Sequence, residues 1–369
     1  MKNVIVLDIG TQFIKASTLG DNGFFVQKDY TKNVFDVCQK MVKKDFKKLR
    51  TKSREIILGL NNDILNGKAT TLCFKRENPH EQIDLIELKN LIQKIEWKAF
   101  DDIKQELTKE TELKSSDVKL INAYLVDIKI DGHSNLNPIG FSGESICINI
   151  YNTYTSAQKF DYLEKFATDL KFKLTEIIPI SFALFNYLDL EKSDRSNVLI
   201  VDIGSKITEV TLIKNGGEAI ETKNFHLGGQ AFSRVLAEFL NSNEKSGELI
   251  KIKYSNGKTS NEVRKRIDKL FTPNVSSWLN GVKIILDDFL KCYKFIPDRI
   301  FICGGGSRVP LIRSGLKKEK NFKVLDIGNE NNFSEISCLA LKNFYLNLPD
   351  EKDIFKLIFK RVIKLIQNQ

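Results

Sequence analysis

The chain has 369 residues and 42% hydrophobic content, more length than one hydrophobic core normally supports and apolar enough for two or more. Its net charge of +10 is spread over dispersed lysines, and runs such as KKDFKKLR (residues 43–50) carry no aromatic platform, so they read as solvated helix faces and nucleic acid is not an expected partner. No apolar run reaches the roughly eighteen residues of a membrane span, and the N-terminus enters a strand without a signal peptide, so a soluble cytoplasmic body is expected.

In chain order, the first element is VIVLDIGTQFIK (residues 4–15), an apolar strand ending in an acid and a glycine, followed by a polar turn and a second strand. Asp21, Asn22 and Gly23 make a hairpin turn into a third strand near Phe24. A helix over residues 34–49 and the strand REIILGL (54–60) follow, giving the alternation of an α/β layer. From about Glu81 the text changes: an amphipathic helix through Ile83, Ile86, Ile92 and Ile95, then alternating strands around IDGHSNLNPIGFSG (130–143). Asp131, Gly132, Asn137, Pro138, Gly140 and Gly143 read there as turn chemistry between two strands rather than as catalytic groups. The helix QKFDYLEKFATDLKF and the segment LTEIIPISFALFNYL lead to VLIVDIGSKITEV (198–210), a second acid-glycine turn after an apolar strand.

Two such turns, in the two halves of the chain, let backbone N–H groups approach a phosphate where no Cβ intervenes. Asp8 and Asp202 are placed to hold a Mg²⁺ and its waters. Gly10, Thr11, Gln12 and Lys15 are the candidate contacts of the first turn, and Gly204, Ser205 and Lys206 those of the second. The second turn reads Asp202-Ile203-Gly204-Ser205-Lys206-Ile207-Thr208-Glu209, with Ser205 and Lys206 where glycines would be freer. A third glycine-rich turn, IFICGGGSRVP (300–310), contributes Gly304, Gly305, Gly306 and Ser307. This arrangement resembles the actin-like ATPase superfamily, in which the third turn carries the adenosine. The resemblance implies a duplicated, ribonuclease H-like α/β fold binding ATP with Mg²⁺ between two halves.

The stretch at 130–143 closely resembles the NP-x-G segment of the bacterial FtsA family, which carries an extra subdomain there. Three further features resemble that family: the glycine pair Gly228 and Gly229 before a helix, Glu248 and Lys251 three residues apart on one helix side, and the C-terminal segment. The implied division is 1–80 with 161–193 as the first half, 81–160 as the inserted subdomain, 194–223 with 297–348 as the second half, 224–296 covering the nucleotide, and 349–369 as linker and tail. At the crossover where relatives orient the attacking water the chain offers Glu176 or Ser181, so at most a slow ATPase is implied.

The tail IFKLIFKRVIKLIQNQ places Ile354, Phe355, Ile358, Phe359, Val362, Ile363 and Ile366 at helical spacing opposite Lys356, Lys360 and Lys364, the pattern of a helix lying in an anionic membrane surface. By resemblance the protein would then form head-to-tail filaments, sit on the inner face of the cell membrane and tether a tubulin-like FtsZ ring. Two other readings compete: PilM, a relative that docks a partner's peptide and needs no lipid helix, and a sugar kinase, for which no extra acid is poised as base. Six cysteines (Cys38, Cys73, Cys147, Cys292, Cys303, Cys338) lack C-x-x-C spacing and predict neither a disulfide nor a zinc site. His80, His133 and His226 lack metal-ligand spacing and are expected to be structural or exposed.

Overall fold

The computed structural model describes residues 4–19, 25–29, 34–41, 44, 55–110, 114, 117–188, 197–319, 322–327, 335–350 and 352–367. The first half begins with β1 (Val4–Ile9), β2 (Phe13–Thr18) and β3 (Phe25–Asp29), then α1 (Val34–Lys40) and β4 (Glu55–Leu60). The Asp21-Asn22-Gly23 turn and most of the lysine run at 43–50 lie outside the described residues. Next come β5 (Asn66–Lys75), α2 (Leu85–Glu110), β6 (Val118–Ile130), the short β7 (His133–Ser134) and β8 (Ser145–Ser156). α3 (Ala157–Asp169), β9 (Lys173–Pro179) and α4 (Ile180–Tyr187) return the chain to the first half. The second half holds β10 (Val198–Ile203), β11 (Thr208–Lys214) and β12 (Ala219–Phe225), and the helices α5 (Gly229–Phe239), α6 (Glu244–Ser255) and α7 (Asn261–Tyr293) follow. β13 (Arg299–Cys303), α8 (Pro310–Lys318), β14 (Lys323–Asp326), α9 (Ile336–Leu346) and α10 (Ile354–Gln367) complete the chain.

Two sheets organise these elements. One has five strands in the order β3-β2-β1-β4-β9, the other nine in the order β14-β13-β10-β11-β12-β5-β8-β6-β7. β1 and β10 play the same part in each, pairing antiparallel with the next strand and parallel with a later one. Both are apolar runs buried on two faces, as strands covered by helices on both sides must be. Between the sheets, α9 packs on β1, β2 and β4, α4 packs on β9, β10 and β11, and the two helices pack on each other. Their core joins Val4, Val6 and Ile57 of one sheet to Val198, Ile200 and Phe301 of the other.

The inserted subdomain is built on β5, β8 and β6, and its sheet continues into the second half through β12, where Glu221 lies opposite Lys68. The sequence reading left residues 66–75 in the first half; their ten-residue pairing with β8 ties them to the insert. Ile83, Ile92 and Ile95 are buried as expected, but Ile86 is 69% exposed, off the helix face on which Leu88, Ile92 and Ile95 are buried. In LTEIIPISFALFNYL the helix starts only at Ile180, since Thr175, Ile177 and Ile178 belong to β9, which runs parallel to β4.

Two expectations are corrected here. Cys73 and Cys147, opposite each other on β5 and β8, form a disulfide, because cross-strand register brings together cysteines that are far apart in sequence. The apolar face of α10 is not free: Ile358, Phe359, Val362 and Ile366 are buried on β6 and α2 among Ile128, Ile130 and Ile148. Asp353 caps that helix, its carboxylate accepting from the backbone N–H groups of Phe355 and Lys356. All three histidines are exposed.

Candidate functional site

The site grows out of the duplicated strand-turn-strand unit. In the first half the Gly10 N–H donates to the Phe13 carbonyl at 3.0 Å; in the second the Gly204 N–H donates to the Ile207 carbonyl at the same 3.0 Å. A Cβ on either glycine would lie 3.1 Å from Phe13 O or 3.0 Å from Ile207 O, so both turns are as tight as glycine allows. Across the cleft the turns touch. Ser205 Oγ donates to Gln12 Oε1, and the Lys206 N–H donates to Thr11 Oγ1 at 3.2 Å. The Lys206 side chain is exposed.

The register places Lys15 opposite Asp8 on β2 and Glu209 opposite Asp202 on β11. Lys15 Nζ lies 2.7 Å from the buried Asp8 carboxylate and donates to Ser337 Oγ at 3.0 Å, while Ser337 donates to Asp8. Burial works against the Lys15 ammonium, but Asp8, by charge and hydrogen bond, holds it above its ordinary range. The second Asp8 oxygen, Oδ1, is buried without a hydrogen-bond partner. Asp202 is raised by burial, with Lys15 pulling it down and Asp8 pushing it up. Glu209 is pushed up to about 8, by burial first and then by Asp202, against the Asn62 N–H that donates to it.

The remaining candidates gather beside the second turn. The N–H groups of Gly229 and Gln230, which open α5, donate to the carbonyls of Gly204 at 2.9 Å and Ser205 at 2.8 Å. A Cβ on Gly228 would come within 2.5 Å of the Ser205 carbonyl, so the glycine pair is required by α5 docking on this turn. Lys251, buried on α6, donates to the Gly229 carbonyl at 3.0 Å and pairs with Glu248 at 2.6 Å; Ser233 also donates to Glu248, at 2.5 Å. A Cβ on Gly229 would lie 3.3 Å from Gly306 Cα, which brings the Glu248–Lys251 pair up against the third turn. Gly304 has φ +80°, and its missing Cβ would overlap Asp202 Oδ1 at 2.3 Å. Gly306 packs on Ile203, Gly305 faces open space, and Ser307 donates to the Gly304 carbonyl at 2.8 Å.

These contacts bring the three turns and the Glu248–Lys251 pair together in one neighbourhood. Glu176 and Ser181 have other surroundings: Glu176 accepts from Asn122 and Tyr124 and lies 3.7 Å from Lys356 of α10, and Ser181 is buried in the first turn of α4. Sequence reasoning did not select Ser337, Asn62 or Glu209. Only Glu209 had a readable signal, since it stands seven residues after Asp202 as Lys15 does after Asp8.

A Mg²⁺ fits this donor set. The partnerless Asp8 Oδ1 and the neighbouring Asp202 supply two carboxylates, and among the described residues no group of three or more His, Cys, Asp or Glu could hold a metal ion. Two carboxylates with waters and phosphates completing the shell is the manner in which Mg²⁺ is usually held.

No protein-family model matches the sequence, and no curated protein matches it. Solved structures do. A protein solved as the "PilM-PilN type IV pilus biogenesis complex" superposes with a TM-score of 0.65 at 14% identity, over 94% of this chain and 99% of that one. The ethanolamine utilization protein EutJ from Carboxydothermus hydrogenoformans superposes with a TM-score of 0.50 at 13% identity, over 91% of this chain and 88% of that one. MreB 5 of Spiroplasma citri bound to AMPPNP covers 100% of this chain and 99% of its own, with a TM-score of 0.48 at 11% identity. The chain has the actin-like ATPase fold. The expected actin-like α/β fold class therefore holds.

Proposed function

We propose that this protein binds ATP with Mg²⁺ in the cleft between its two halves and serves as a docking module for another polypeptide, in the manner of PilM. The carrying observation is that α10 uses its apolar face to complete the core of the inserted subdomain, so that face is not offered to lipid. A second feature supports a polypeptide partner. Hydrogen bonds between Ile83 and the loop at Gly140 and Phe141 hold that loop beside the approach to α2, where Phe141 is 53%, Leu85 42% and Ile86 69% exposed.

In the cleft the chain's own groups would orient and neutralise. The two glycine turns and the Gly304–Gly306 run give the nucleotide backbone to lie on, and Lys15 offsets the Asp8 charge. Mg²⁺, when bound, would screen the phosphate oxygens. Turnover is expected to be slow, because Glu176 accepts from Asn122 and Tyr124 and Ser181 is buried in α4.

The second reading is an FtsA-like membrane tether that recruits an FtsZ-like tubulin homologue. What favours it is the outer face of α10, where Lys360, Arg361 and Lys364 are exposed beside Leu357 at 52% and Leu365 at 44%. Self-association into filaments is compatible with both readings. Fluorescent ATP binding with and without Mg²⁺, together with co-pelleting on anionic vesicles, separates them. The docking reading expects Mg²⁺-dependent binding and a chain that stays in solution. Pelleting that disappears when Lys360, Arg361 and Lys364 are changed to Glu would replace it with the tether, and failure to bind ATP would remove both.

A further inference from the structure

We propose that the Cys73–Cys147 disulfide is a thiol-exchange site, opened and closed by small thiols of the glutathione class, and that its state controls how firmly the β11–β12 hairpin is seated on the inserted subdomain. The two cysteines are direct register partners on β5 and β8. They line a pocket of about 330 Å³ together with Lys129 of β6, the hairpin residues Lys214 and Glu218, and Tyr293 at the end of α7. Cys73 is exposed and Cys147 half-buried, so an incoming thiolate has access to the Cys73 sulfur.

Attack there forms an S–S bond between the small thiol and Cys73 and releases Cys147 as a thiolate. Lys129 stands opposite Cys147 in the register, a cation placed to favour that leaving group before it takes a proton. A second small thiol then attacks the mixed disulfide. Cys73 leaves as a thiolate and takes a proton, and the two small molecules depart joined as their own disulfide. Two electrons and two protons have passed to the protein, and the reverse sequence with oxidised glutathione restores the bond.

The strands do not depend on the bond, because β5 and β8 pair along ten residues. What lies next to it is the hairpin seat. One row along the same face, Asn149 Nδ2 donates to the Gly217 carbonyl at 2.6 Å and Thr71 Oγ1 to the Glu218 carbonyl at 3.2 Å. Lys129 pairs with Glu218 at 2.5 Å. The disulfide thus clamps the two strands one row from the Thr71 and Asn149 side chains that hold the hairpin tip, so it bears on the local freedom of that row and not on strand pairing. β11 runs from that tip at Lys214 back to Thr208 and Glu209 at the cleft, so the seat and the candidate site share one strand.

The test equilibrates the full chain in glutathione buffers of graded ratio, quenches with iodoacetamide and maps the labelled peptides. Cys73 and Cys147 should become labelled together as the buffer turns reducing, without denaturant, while exposed Cys292 labels throughout and buried Cys38, Cys303 and Cys338 do not. Hydrogen exchange over residues 214–219 should then rise about tenfold on reduction, and equally in Cys73→Ser/Cys147→Ser. Labelling of both cysteines in fully oxidised buffer, or only after denaturation, overturns the proposal. So does hairpin exchange that is the same in both redox states of the natural chain, a comparison that stands even if the double variant misfolds.

Discussion

Asp8 and Asp202 occupy equivalent places in two copies of one unit, yet their cross-strand partners differ, a lysine in one half and a glutamate in the other. The duplication was legible because glycine and aspartate recur at fixed offsets from an apolar strand. Ser337 was not, since it reaches Asp8 from a helix more than three hundred residues away in sequence. Replacing Asp8 by Asn keeps the shape beside Lys15 and removes the charge. Mg-ATP affinity should fall about ten- to hundredfold, the equivalent of one charged hydrogen bond at about 1.5–3 kcal/mol. Calorimetric titration measures this, and an unchanged Kd would take Asp8 out of the metal site. The third turn gives an internally controlled pair. Gly304→Ala forces a side chain onto φ +80° and into the Asp202 carboxylate, whereas Gly305→Ala meets open space. The first should cost about 1–3 kcal/mol in urea unfolding and the second far less; equal costs would show that the Gly304 conformation is not required.

Among the elements, α10 shows how periodicity can be right about a helix and silent about its surroundings. Its apolar spacing fixes one face, but a lipid surface and a neighbouring sheet make the same demand on that face. Nothing in the tail's own sequence distinguishes β6 and α2 from a membrane, because the isoleucines that receive it lie more than two hundred residues earlier. The disulfide was hidden for the same reason, its partners being 74 residues apart until β5 and β8 come into register. By contrast β1 and β10 were readable locally, from apolar runs ending in an acid and a glycine, and α6 from the spacing of Glu248 and Lys251. Phe359, 4% exposed in the subdomain core, tests the packing of α10. Phe359→Ala should destabilise the inserted subdomain by about 3–5 kcal/mol, and outward-facing Leu365→Ala should cost much less. Limited proteolysis reads both. Equal protection of the Phe359→Ala and natural chains would mean that the helix is not anchored there.

At the scale of the whole molecule, two buried carboxyls in different parts of the structure bear on stability together. Glu96 of α2 is fully buried, and burial pushes it up to about 8 although the Asn152 side chain pulls the other way. Glu209, on β11 beside the first-half loop at Asn62, is likewise near 8. Both start from an ordinary value of 4.5 in the unfolded chain. Between about 4.5 and 8 the folded state therefore holds protons that the unfolded state has released, and stability must fall as pH rises, by at most about 1.4 kcal/mol per pH unit for each group. Asp131, Glu218 and Asp288 are lowered, the first by backbone hydrogen bonds from Ser145 and Glu144 and the other two by lysine partners. Their contributions have the opposite sign and are lost only as pH falls below the ordinary carboxylate range, so they leave the window from 5 to 8 untouched. Urea unfolding at successive pH values should show stability declining across that window in the natural chain. Glu96→Gln and Glu209→Gln should each remove part of the slope, because an amide has no proton to release. A flat profile in the natural chain, or an unaltered slope in both variants, would mean that neither carboxyl is held protonated by the fold.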